Sequence, residues 1–441
     1  MSSGAPRASR AATIDAQTPA SRNRVVDLLR AAAITVVVLG HWTIMAVSVD
    51  GGIQPHGVLD VAAWTHPLTW IFQVMPIFFL VGGYSNGLSW RSARRKGIGY
   101  PEWLRARLRR LGIPLVPLLM AWLLICAIAL AGGADPATVG LASQMALIPT
   151  WFLAVYLLVI VIAPVCLVLW ERFGWFSVIG GLLLAAGVDA LSIASSQPLL
   201  GYPNYLLVWA SFHQVGFAWL DGRLAGPVRL LLAAVGALGL ALLVGLGPYP
   251  ISMITTAGDA ISNSNPTRIT MAFLGLLQAG IVLVAEPALA RLMARPRLWF
   301  LTVMVNLRIM TWFLWHLTAL VGLAHVLIAL DARALLPEPL TGIWWATRPL
   351  WALALFLLTG LLVLLLGRFE SPAADERPAP ALWRPLLAAV LVTAGLAVMA
   401  NSGMVGESGL NWYLPLLPLL GILGLGVVQR PWGRAGRTAE R

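Results

Sequence analysis

Along the 441-residue chain, predominantly apolar runs recur at a length close to what a helix needs to cross a bilayer. That length is about 20 residues, because the hydrocarbon core is about 30 Å thick and a helix rises about 1.5 Å per residue. Twelve such runs are read, at roughly 26–48, 68–88, 113–132, 150–170, 175–195, 204–220, 228–247, 269–289, 310–330, 348–366, 385–403 and 411–428. Lipid offers no partner for backbone N–H and C=O groups, so each run must satisfy its own as a helix. No gap between the runs is wide enough for a water-soluble domain. Composition agrees: 59% of residues are hydrophobic and 11% charged, against about a quarter charged in a soluble domain. The expected fold is all-α, a polytopic transmembrane helix bundle.

Charge supplies the topology, because cytoplasmic loops hold the excess of Lys and Arg. With the N-terminus inside, 27 of the 30 basic residues fall in inner segments, and only Arg268, Arg333 and Arg348 fall outside. One span more or fewer would scramble that division, so an even number is expected, with both termini cytoplasmic in the cell membrane. The net charge of +12 then reflects topology and attraction to anionic headgroups. A nucleic-acid partner is excluded, for want of a folded basic face. Residues 1–24 are small, polar and basic, and read as a disordered cytoplasmic tail. A signal peptide is not expected, because the apolar run that follows is too long and contains His41. Cys126 and Cys166 lie inside apolar runs, and no His pair stands four apart with a Glu, so neither disulfide nor metal chemistry is indicated.

The first run, "DLLRAAAITVVVLGHW", places Arg30 and His41 eleven positions apart. On a helix that is about 20° of azimuth and about 16 Å of rise, so the two share one face. Asp27, three residues before Arg30, falls on the same stripe. Ionisable groups within a membrane are costly and face a bundle interior or a wet cavity, so His41 marks an internal path. The plainer readings are an interhelical hydrogen bond for His41 and a topology-setting pair for Arg30 and Asp27.

"RNRVVDLLRAAAITVVVLGHW" resembles the first helix of the bacterial acyltransferase-3 family, whose signature is a basic residue, ten intervening positions and a histidine. "MPIFFLVGGYSNGLSW", "WLRARLRRLGIPLVP", "WFLAVYLLVIVIAPV", "SNSNPT" and "MTWFLWH" extend the resemblance in order. It covers residues 22 to about 366. The resemblance implies a ten-helix core at 25–366, a cytoplasmic linker at 367–384, an additional C-terminal pair at 385–428 and a basic cytoplasmic tail at 429–441. Where the family's second motif has a serine before glycine, this chain has Gly82 and Gly83, which removes a hydroxyl and favours close packing.

The resemblance further implies an O-acyltransferase that moves an acyl group, often acetyl, from cytoplasmic acyl-CoA to a hydroxyl of an envelope or secreted glycan, glycolipid or similar acceptor. The attacking hydroxyl must lose a proton, and His41 is expected to be the base that takes it. Arg30 and Asp27 complete the catalytic stripe. Acyl-CoA, a donor substrate rather than a resident cofactor, carries phosphates. The segment 91–110 offers seven arginines and one lysine for them. Arg107 and Arg110 match the family's recurrent pair, with Arg105 and Arg109 as neighbours. His316, Trp42, Trp151 and Asn265 are the candidate acceptor contacts, and Asn263 and Thr267 share the outer loop with Asn265. The competing reading is a transporter or flippase with His41 as a proton relay.

Overall fold

The computed structural model describes residues 10–48, 54–332, 335–370 and 377–426. Among them the chain is helical nearly throughout, apart from two small antiparallel hairpins, Met45–Ser48 with Gln54–Gly57 and Val405–Gly406 with Gly409–Leu410. The first helices are α1 (Arg10–Gln17), α2 (Arg24–Ile44), α3 (Met75–Arg95), α4 (Tyr100–Gly112), α5 (Leu115–Ala131) and α6 (Pro136–Leu147). The middle of the chain forms α7 (Thr150–Phe173), α8 (Trp175–Ala194), α9 (Asn204–Leu220), α10 (Pro227–Gly245), α11 (Ile269–Val284) and α12 (Glu286–Met293). The last are α13 (Pro296–Leu307), α14 (Ile309–Ala329), α15 (Gly342–Leu366), α16 (Trp383–Ser402) and α17 (Tyr413–Gly424).

Eight helical segments are long and apolar enough to span a membrane, or ten if the bent pairs α4–α5 (42°) and α11–α12 (57°) each form one crossing. The protein is a multi-pass membrane protein. Each of the twelve apolar runs falls on helix, but α9, of 17 residues, and α17, of 12, are shorter than a full crossing. The run at 68–88 is divided: a short turn at Thr69–Phe72 stops at Gln73, and Pro76 opens α3. Pro114 separates α4 from α5 at the bend, since proline removes a helix hydrogen bond and crowds the preceding turn. Helices α6 and α13 lie outside the apolar runs. Asp135 caps α6 by accepting from the Thr138 N–H at 2.9 Å.

One expectation changes. Residues 10–17 are helix rather than disordered tail, and α1 packs on α13. Arg24 ties Asp15 at 2.6 Å, and the Trp299 indole donates to Thr18 Oγ1 at 2.8 Å. Apart from Arg24, the partners that order α1 lie nearly three hundred residues away, so local composition does not reveal them. The additional C-terminal pair packs into the bundle: α16 packs on α4, α6 and α7 as well as on α17, and α17 reaches α4 and α5. Gln144 donates to the Asn401 carbonyl at 2.6 Å, and the Met404 N–H donates to Ser143 at 3.0 Å. Of the linker, Gly367–Glu370 is a turn of 3-10 helix. Residues 371–376 and the expected basic tail at 429–441 lie outside the described residues.

The tightest approach in the core is between α3 and α9. A side-chain carbon added at Gly83 would stand 1.9 Å from the His213 carbonyl oxygen, and one at Gly216 would stand 2.2 Å from that of Leu80. Gly82 faces the Tyr156 ring, 2.9 Å from where its own side-chain carbon would be. Gly83 therefore permits backbone contact that any side chain would prevent, while a serine at Gly82 would press on the Tyr156 ring. Gly83→Ala is expected to destabilise the bundle by roughly 1–3 kcal/mol, seen as a lower thermal midpoint in detergent, whereas Gly360→Ala, at an open position, leaves the midpoint in place.

Candidate functional site

Helix α2 begins where Asn23 accepts hydrogen bonds from the Val25 and Val26 N–H groups, at 3.0 and 3.4 Å. Its polar stripe starts in the next turn. Asp27 is buried and takes Arg22 Nε at 2.7 Å and Arg30 Nη1 at 3.2 Å. Arg30 Nη2 donates to Ser85 Oγ of α3 at 2.7 Å, and Asn306 of α13 donates to the Asp27 carbonyl at 2.9 Å. The Arg30 guanidinium thus ties α2 to α3, and the Asp27 backbone carbonyl ties it to α13.

These residues line a cavity of about 830 Å³, at the roomy end for a small-molecule site. Arg22, Arg30, Arg95, Arg107 and Arg110 surround it, with Tyr156 and Glu370. Asp27 is held by two of the arginines. The Glu370 carboxylate accepts from the Met310 and Thr311 N–H groups (2.9 and 3.1 Å) and from Thr311 Oγ1 (2.8 Å), capping α14. Among the described residues, Arg95, Arg107 and Arg110 have no carboxylate partner, so the cavity carries a net positive wall suited to an anion.

Helix α4 divides its arginines between two faces. Arg107 and Arg110, three apart, line the cavity. Arg105 and Arg109, four apart, are buried outside that lining, and Arg105 donates to the Pro378 and Arg377 carbonyls at 2.7 and 2.8 Å. Of the four arginines expected to hold phosphate, two face the cavity. Arg105 instead fastens the segment that leads into α16.

On the side toward His316 the cavity is lined by Phe78, Phe152 and Phe313, whose rings meet through Phe152 at 5.2 and 5.7 Å. His41 does not line the cavity. It stands beyond Phe313, against His316 of α14, with the two imidazoles stacked at 5.1 Å and 9° and with His41 Nδ1 2.8 Å from His316 Nε2. For a neutral pair the tautomers follow from the third member. His316 Nδ1 is 2.8 Å from the Phe313 carbonyl, which can only accept, so that nitrogen carries the proton. Neutral His316 Nε2 is then an acceptor, and His41 Nδ1–H donates to it. His41 Nε2 is left with its lone pair and, among the described residues, no hydrogen-bond partner. His316 is fully buried, whereas His41 keeps accessible surface.

The other expected acceptor contacts are dispersed. Trp42 is buried and donates to the His316 carbonyl at 3.1 Å, so it joins α2 to α14. Trp151 packs between Phe152 and Tyr205, and Tyr205 donates to Asn265 Oδ1 at 2.9 Å. Asn263 and Thr267 are buried in the loop itself. The Asn263 amide donates to the Pro250 and Ser252 carbonyls, and Thr267 accepts from the Trp209 indole. The loop is shaped by these bonds, and neither residue faces the cavity.

Sequence reasoning passed over Ser85, Tyr156 and Glu370. The α3 segment "GYSNG" put Ser85 on a helix without showing that it faces Arg30. Tyr156 had no signal beyond its apolar run. His213, buried in α9 and outside the expected roles, accepts from the Asn86 amide at 3.1 Å.

A family model described as an acyltransferase domain matches residues 23–295, from the start of α2 to the end of α12. The match stops short of the 366 reached by the motif resemblance and leaves His316 outside it. No curated protein and no solved structure matches the chain. If the cavity is wet, Ser85→Cys reacts with a small charged thiol reagent while the wild type, whose Cys126 and Cys166 are buried, does not. Equal labelling of both would contradict the accessible cavity.

Proposed function

Because the chain belongs to the acyltransferase-3 family, we propose that it transfers an acyl group, acetyl in the simplest case, from acyl-CoA to a hydroxyl of an envelope or secreted glycan, glycolipid or comparable acceptor. One observation carries this reading. Helix α2 bears a guanidinium in an arginine-lined cavity at one end of its stripe and, about 16 Å further along, an imidazole whose free lone pair is set by its neighbours. The arginine-rich end is assigned to the cytoplasm and the bundle to the cell membrane, following the excess of basic residues on that side.

In this mechanism Arg107 and Arg110 hold donor phosphates, for which a guanidinium fork is well shaped. Arg30, braced by Asp27 and Ser85, orients the arm that carries the thioester. The arm passes the Phe152 and Phe313 rings, so side-chain rotation there admits the thioester to His41. The acceptor hydroxyl attacks the thioester carbonyl as His41 Nε2 removes its proton. Collapse of the tetrahedral intermediate breaks the carbon–sulfur bond, and the departing thiolate takes the proton back from His41. His316, itself fixed by the Phe313 carbonyl, keeps His41 in the competent tautomer and accepts a hydrogen bond from the imidazolium, a part analogous to the orienting group of a hydrolase triad.

His41→Ala is expected to lower kcat by about 10²- to 10⁴-fold, measured as label transfer from radiolabelled acetyl-CoA to a lysate glycan or lipid fraction. Equal transfer by the variant would remove the base assignment. His316→Ala falls in kcat with little change in donor KM, and adding it to His41→Ala costs little more, because groups that act as one unit are not additive. The double change Arg107→Gln and Arg110→Gln does the reverse. Donor KM rises at least tenfold, for a loss of about 1.5–3 kcal/mol per charged hydrogen bond, and thermal stabilisation by CoA is lost.

A further inference from the structure

At the opposite end of the bundle from the cavity, one arginine lacks an answer to its charge. Of the three basic residues that the sequence assigns there, Arg268 is paired with Asp189 at 3.2 Å and Arg333 lies outside the described residues. Arg348, in the second turn of α15, makes one hydrogen bond, from Nε to the Trp344 carbonyl at 3.3 Å within its own helix. Both of its Nη groups are without a protein partner among the described residues. The guanidinium is nonetheless held in place, with its carbon 4.7 Å from the Trp344 ring centre and 5.0 Å from that of Trp351, contacts that attract a cation to an aromatic face. The two rings fix the guanidinium and leave its N–H edge available.

A second donor stands one turn away. Trp344 is fully buried, and its indole N–H has no partner, a condition that costs free energy and is rare in a finished structure. Positions 344 and 348 share a helix face. Two donors without acceptors on one face, one charged and one neutral, call for a ligand that supplies several oxygens. The position ties this face to the histidine pair: the Trp351 indole donates to the Trp42 carbonyl at 3.3 Å, and the Trp42 indole donates to the His316 carbonyl. Around Arg348, Ile343, Trp345 and Leu350 expose apolar surface, as suits an amphiphile lying in lipid.

We propose that Arg348 and the Trp344 indole form a phosphate seat for the acceptor, which is therefore an amphiphile bearing a phosphate or phosphodiester, its hydroxyl directed toward His41. This rests on the acyltransferase reading above and adds the acceptor's chemical class to it. A tetrahedral phosphate offers two oxygens to the guanidinium fork and a third to the indole N–H, whereas a neutral acceptor would leave the guanidinium's charge unpaired.

The test is equilibrium binding of radiolabelled farnesyl phosphate and of farnesol to the full-length protein in a neutral maltoside detergent. Wild type is expected to prefer the phosphate by at least tenfold. Arg348→Gln loses that preference and Trp344→Phe loses part of it, while both variants keep the stabilisation by CoA that reports a folded donor side. Equal preference in Arg348→Gln and wild type overturns the seat. The second arm adds phosphatidylglycerol to the micelles. Acceptor recognition predicts that farnesyl phosphate stays bound at equal mole fraction, whereas displacement assigns the site to bulk headgroups and overturns the acceptor claim. Absence of acyl transfer by wild type would fail the acyltransferase reading alone, because the binding comparison does not depend on turnover.

Discussion

Charge inside a bundle of apolar helices persists only where protein oxygens or water answer it, and the contact on which this architecture turns is Arg30 with Asp27 and Ser85. It draws three helices to one point: α2 carries the pair, α3 supplies the hydroxyl, and α13 reaches the Asp27 carbonyl through Asn306. The cavity forms around that point because the other basic side chains cannot be buried there without water or an anion. Arg105 shows the alternative. With carbonyls of residues 377 and 378 within reach, its guanidinium is accommodated in a dry contact, and no cavity forms beside it.

The histidine pair follows a different logic. As a neutral pair, with every N–H directed at one acceptor, the imidazoles need no counter-ion. What they need is direction: each N–H has one acceptor, and the chain of donors runs from His41 through His316 to a carbonyl that a helix has already fixed. A side chain with this history arrives at its partner with one nitrogen committed and the other open. Trp42, beside it in sequence, serves the same end by holding α2 to α14 at the level of the rings.

How much of this was legible in the sequence depended on the distance over which the information acts. The helices were, because hydrophobic length and the demand for internal hydrogen bonds operate within each run. So was the shared stripe of Asp27, Arg30 and His41, since helical period alone aligns them. The partition of α4 was available and not used, for residues 105 and 109 stand about 40° apart while 107 lies about 200° from 105. Contacts between distant segments were out of reach: His41 meets His316 across 275 positions, and α1 is ordered by Trp299. The kink at Pro114 and the break before Pro76 were written in the residues themselves. The integration of α16 and α17 into the bundle was not, since apolar surface does not announce its neighbour.

The three phenyl rings that line the cavity toward His316 also have a bearing on bioenergetics. An arginine-lined vestibule in a membrane bundle, with imidazoles just past the rings that line it, is most of a proton conductor once water enters it. Phe78, Phe152 and Phe313 interrupt the path with groups that can neither give nor take a proton. On the acyltransferase reading proposed above, a bundle so arranged keeps acid–base chemistry within the bilayer while the membrane remains electrically tight.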